Sequence, residues 1–199
     1  EEDIYLGAPL QVGDEVPNFT CESQLGSAIT FHDMIDGKFA LLATFPKNFE
    51  AVATTEMGML AKLIDEFEAR NVSVFALSVD NKNNHQRWIK EVEDLQSCKI
   101  TFPLLCDSDA SISKIYGLVR PSVRTFEWGN IGNNGNGNKN DNQGDSQKMK
   151  GNSVIDAGLI IITDIDMRIQ FIAQYPKTVG RNFYEVLRAI DAIQLTIYH

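Results

Sequence analysis

The chain has 199 residues, 43% of them hydrophobic and 23% charged, which suits one globular domain able to bury its own core. A formal charge of −9, with no stripe of Lys and Arg, argues against nucleic acid or an anionic membrane surface as partner. No apolar run approaches the roughly 20 residues of a spanning helix, and no basic stretch followed by an apolar one opens the chain, so neither a membrane span nor a signal peptide is expected.

In chain order, Val16 to Cys21 and Ile29 to Phe31 are predicted as short extended elements. Phe39 to Thr44 is a continuous apolar run, the pattern of a strand covered on both faces. Met57, Leu60, Leu63, Ile64 and Phe67 recur at helical spacing and predict a helix from Thr54 to Ala69. Val72 to Val79 reads as a second central strand, and Asn83 to Leu95 as an amphipathic helix carrying Trp88, Ile89 and Val92. Phe102 to Cys106 is strand-like, and Ala110 to Tyr116 a short helix. Leu159 to Thr163 and Ile169 to Gln174 flank Asp164-Ile-Asp166 as a hairpin, and Arg181 to Thr196 closes the chain as a helix. Strands alternating with helices, then a hairpin and a helix, predict an α/β fold of thioredoxin type, with a mixed central sheet flanked by helices. Residues 129–153 stand apart. Asn and Gly dominate them, and too little apolar surface is present to offset the entropy of ordering, so a disordered insertion in a single domain is expected.

Cys21, Cys98 and Cys106 form an odd set without metal or redox spacing and read as free thiols of a reducing compartment, the cytosol by default. Cys106, ending an apolar run, reads first as a small buried hydrophobe. Cys98 has one basic neighbour, Lys99, a weak reason to expect a reactive thiol. His32, His85 and His199 lie far apart, so neither a metal site nor any other cofactor is expected. Asp164 and Asp166 are explained by the hairpin turn between them.

Five ordered phrases resemble the 1-Cys branch of the peroxiredoxin (AhpC/TSA) family and together span nearly the whole chain outside the insertion. They are Gly13-Asp-Glu-Val-Pro-Asn-Phe19, Pro46-Lys-Asn-Phe-Glu-Ala-Val-Ala-Thr-Thr-Glu56, Asp80 with His85 and Trp88, Phe102-Pro-Leu-Leu with Asp107, and Tyr175-Pro-Lys-Thr-Val-Gly-Arg-Asn-Phe183. The resemblance implies a thioredoxin-like core, a tendency to dimerise and a peroxidase site in which a thiolate attacks peroxide and becomes a sulfenic acid. It also implies where that site falls. The proline is retained as Pro46, but the threonine position is Glu50, the next proline is Ala51, and the attacking cysteine is Ala53. Counting back from Tyr175 places the family's arginine at Gly158, and Phe45 stands where many members have histidine. Lys38 stands where some relatives carry a lipase-like serine, so a hydrolase reading lacks its nucleophile.

A methyl group cannot attack peroxide, and Glu50 would repel a thiolate. The expected function is therefore an inactive peroxiredoxin-like domain used as a dimerisation or protein-binding scaffold. Thr54, Thr55 and Glu56 are expected to start the helix after the loop. The alternative is a thiol peroxidase relocated to Cys106 or to a partner's thiol, and holdase activity would need exposed apolar surface. An empty cysteine position joined to an Asn-rich insert is similar to the N-terminal domain of merozoite capping proteins, which implies a place in invasion. The family's C-terminal arm is not seen before His199.

Overall fold

A computed structural model describes residues 9–26, 28–121 and 153–198. The expected disordered insertion and His199 lie outside the described residues, except that Ser153 begins a short strand. Strands β1 (Thr20–Glu22) and β2 (Ala28–Thr30) pair antiparallel and lead into the one-turn helix α1 (Phe31–Ile35). Next come β3 (Phe39–Phe45), α2 (Ala51–Lys62), α3 (Ile64–Glu68), β4 (Val72–Ser78) and α4 (Lys82–Gln96). After β5 (Leu104–Cys106) and α5 (Ser111–Ile115), β6 (Arg120–Pro121) pairs with β7 (Ser153–Val154). The hairpin β8 (Ala157–Thr163) and β9 (Ile169–Pro176) precedes the last helix, α6 (Phe183–Tyr198).

The central sheet has the order β5-β4-β3-β8-β9. β3, β4 and β5 run parallel, while β8 is antiparallel to both β3 and β9. This is the expected mixed sheet. Every residue of β3 is buried because both faces are covered, and its period-two alternation divides the core. Leu41, Ala43 and Phe45 join Met57, Leu60, Trp88 and Phe183 on one face. Ala40 and Leu42 join Phe31, Phe75 and Ile161 on the other.

The helix predicted from Thr54 begins three residues earlier, at Ala51, and breaks at Leu63. There the Leu63 N–H reaches both Met59 O at 3.1 Å and Leu60 O at 3.2 Å, a tightened turn that restarts the helix as α3 with Leu63 and Phe67 both buried. Thr54, Thr55 and Glu56 therefore do not start it. Its N-cap is Glu50, whose side chain makes no capping bond. The register Phe45–Ser78–Cys106 puts the C-terminal ends of the three parallel strands at one pole of the sheet.

Candidate functional site

At that pole the chain leaves β3 through Pro46 and runs over a buried polar platform. The Asn48 N–H donates to Asp80 Oδ2 at 2.9 Å, and Ser78 Oγ donates to Asn48 Oδ1 at 2.6 Å. Asn48 Nδ2 is 2.9 Å from His85 Nδ1, and His85 Nε2 is 2.9 Å from Leu105 O. A carbonyl can only accept, so the imidazole carries its proton on Nε2, leaving Nδ1 to accept from the amide. Burial pushes the His85 pKa down, which suits this neutral ring. The pinned loop holds Phe49 at φ 63°, a conformation that costs about 1–3 kcal/mol in a non-glycine residue. Arg87 lies over its ring at 5.8 Å.

Pro46, Glu50 and Ala53, close in sequence, and the distant Gly158 line one small pocket together with Glu56 and Arg181. Ala53 is only 4% exposed. The pocket has about 10 Å³ of space, room for roughly one water. Arg181 fills its floor. Its Nε and Nη2 donate to Glu56 Oε1 and Oε2 at 3.0 and 2.7 Å, and its backbone N–H donates to Oε1 as well. Nη1 donates to Thr44 O at 2.9 Å and Leu159 O at 3.3 Å. The guanidinium also stacks on Phe45, 4.4 Å from the ring centroid. Both charges are more than 90% buried, and such a bidentate pair in a dry site is rigid.

Gly158 is required by that arrangement. A Cβ there would stand 2.8 Å from Thr44 O and 3.2 Å from Arg181 Nη1, so a side chain cannot enter without displacing backbone. The position implied for a pocket arginine is thus closed to any larger residue, and Arg181, from the other end of the hairpin, occupies the space.

No cysteine lines the pocket. Cys106 sits two strands from Phe45, about 10 Å at the usual strand spacing. Burial, then Glu22 and Asp80 against a counteracting Lys82, pushes its thiol up to about 11. Burial and the neighbouring Cys106 push Cys21 up to about 12, and burial raises Cys98 as well. The Lys99 ammonium, paired with Glu93 at 2.9 Å, pulls the Cys98 thiol down, but burial outweighs it. His32 Nε2 bonds Val16 O at 2.7 Å. Asp164 Oδ1 accepts from the N–H groups of Asp166 and Arg168, closing the hairpin turn, while its Oδ2 accepts from Gln170 Nε2. Among the described residues no three His, Cys, Asp or Glu side chains gather to hold a metal, and no helix is long and apolar enough to cross a membrane.

Three roles escaped the sequence reading. Glu56 is half of the buried pair with Arg181. Thr54 Oγ1 accepts from Trp88 Nε1 at 3.0 Å, and Thr55 Oγ1 donates back to Ala51 O at 2.9 Å. Glu56 and Arg181 each lay inside a recognised motif, but 125 residues separate them and nothing in either motif says that they touch.

The AhpC/TSA family profile matches residues 12–161. The 1-Cys peroxiredoxin of Dictyostelium discoideum is 30% identical over 96% of this chain and 67% of its own length. Peroxiredoxin-6 of Gallus gallus is 33% identical over 95% of this chain and 75% of its own. Among solved structures, a cysteine-to-serine mutant of the peroxiredoxin 6 of Arenicola marina superposes with a TM-score of 0.75 at 29% identity, covering 94% of this chain and 75% of that one.

Proposed function

The chain belongs to the AhpC/TSA family of peroxiredoxins, and from that premise we propose that it is a binding scaffold and not a peroxidase. The observation that carries this reading is the content of one pocket. Where a thiolate would have to stand there is the methyl of Ala53, beside the Glu50 carboxylate, in a space of about 10 Å³. Peroxide has two oxygens to accommodate, and no thiol lines the pocket to attack either of them. The three thiols all lie outside the pocket, and burial raises the pKa of each, which disfavours a thiolate to replace the missing one. This weighs against the competing reading, a centre moved to Cys106.

What remains is a rigid sheet with an available edge. β9 pairs only with β8 among the described residues, and the segment through Gly13 and Asp14 covers no more than the first residue of β9, by its backbone bonds to Ile169. Four consecutive residues of β9, Gln170 to Ala173, are only half-buried in the isolated chain. We assign that edge to pairing with a second copy, as strand edges favour. A scaffold inside a larger invasion-related assembly fits the likeness to merozoite capping proteins.

Peroxide consumption by the purified chain, with excess thiol reductant and an active 1-Cys peroxiredoxin as reference, tests the reading. A rate no better than free thiol is the expected result. A rate well above it that disappears in Cys106→Ala would replace the scaffold by a relocated enzyme.

A further inference from the structure

The two outer strands of the central sheet, β5 and β9, are treated differently by the chain. The β5 edge is filled by one side chain. Gln24, just past β1, lays its amide along the strand, where Oε1 accepts from the Leu104 N–H at 2.7 Å and Nε2 donates to Phe102 O at 3.0 Å. The Gln24 backbone N–H donates to Leu104 O at 3.2 Å, and Ser23 bridges to Leu105 beside it. A carboxamide has the donor and the acceptor of a peptide unit, so this side chain stands in for the main chain of a neighbouring strand. From α4, Gln86 Nε2 donates to Gln24 O at 3.3 Å and helps hold the residue in place. The hairpin of β1 and β2 beyond it has three residues in each strand, and edges that short are poor templates for pairing.

β9 carries no such guard. Its eight residues, Ile169–Pro176, include no charged side chain, although an edge is usually protected by lysine, and proline comes only at the last position. This contrast fixes how copies can add. Two open edges would let β9 of one copy pair with β5 of the next, a head-to-tail contact that repeats without end. One open edge allows only β9 against β9, an isologous contact that is used up once a pair has formed.

We infer that Gln24 is the residue that stops sheet-edge association of this chain at two copies, by filling the β5 edge and leaving β9 as the open edge of the central sheet. The inference rests on the pairing of β9 with a second copy proposed above. It is independent of the chemistry at Ala53, so a peroxidase result would leave it standing.

Sedimentation velocity over a range of concentrations, with amide exchange on the ¹⁵N-labelled chain, tests this on the parent, Gln24→Ala and Gln24→Lys. Both substitutions remove the acceptor of the Leu104 N–H, but only lysine leaves a charge on the edge. In both variants the Leu104 amide should exchange at least about tenfold faster than in the parent, with the amides of β3 unchanged. The parent should reach a dimer and stop. Gln24→Ala should add larger species that grow with concentration, while Gln24→Lys should stop where the parent does, because the charge keeps further strands away. Unchanged Leu104 exchange in Gln24→Ala overturns the inference, as does lost protection without larger species, or a parent that itself grows past a dimer. Equal growth of both variants would trace the association to loosened structure instead of an opened edge and overturn it too. A parent that stays monomeric would remove the β9 pairing alone, and the guard is then decided by whether Gln24→Ala, and not Gln24→Lys, begins to associate.

Discussion

Restoring a thiol by Ala53→Cys should not restore a peroxidase, and the geometry says why. Residue 53 lies one helical turn from the N-cap Glu50, a separation of about 5–6 Å between side chains. Glu50 is half-exposed, so an effective dielectric of about 20–40 is appropriate, giving a repulsion of about 1.5–3 kcal/mol between thiolate and carboxylate. That raises the thiol pKa by roughly one to two units. The helix N-terminus returns about 0.3–1 kcal/mol, under one unit. Arg181 contributes little net attraction, since Glu56 already neutralises it. The introduced thiol should therefore titrate near 9–10, leaving roughly 1% or less as thiolate at pH 7. Ultraviolet titration of the thiolate in Ala53→Cys and in the Glu50→Thr, Ala53→Cys double variant measures this directly. The double variant should titrate one to two units lower, and the single variant should consume peroxide no faster than free thiol. An introduced thiol titrating below about 8 in the single variant, or family-like turnover from it, would refute the account of Glu50.

Other consequences are accessible to simple assays. Glu56→Gln leaves the Arg181 charge buried without its partner and should cost about 3–5 kcal/mol, lowering Tm by roughly 6–20 °C in thermal unfolding. The Glu56→Leu, Arg181→Met double variant should recover most of that loss, as apolar replacement of a whole buried pair usually does. Gly158→Ala places a methyl against Thr44 O and should cost about 1–3 kcal/mol in denaturant unfolding, with Gly158→Arg worse, so an arginine at the position the resemblance implies should damage the fold before it aids catalysis. His85 is buried and neutral, with a folded pKa below its ordinary 6.5. The unfolded chain then binds the proton more readily, so stability is full above pH 6.5 and declines as pH falls below it. Denaturant midpoints from pH 7.5 to 5 should show this slope, reduced in His85→Gln.

The fold was legible in local pattern. An apolar run such as Phe39–Thr44 specifies a strand covered on both faces, and stripes such as Phe183, Val186, Leu187 and Ile190 specify a helix with one buried side, because both periods are properties of the backbone. The positions implied for the pocket were also legible, since Pro46, Glu50 and Ala53 lie within eight residues and Gly158 keeps a fixed distance from Tyr175. Helix starts were less so. Ala51 and Val52 carry no capping signal, and the pinned loop through Asn48, not a side-chain cap, decides where α2 begins. Only the tertiary structure brought Glu56 to Arg181 and closed the pocket around Gly158. Each of these depends on which segments become neighbours across the sheet, and sequence spacing carries no record of contacts made between segments so far apart in the chain.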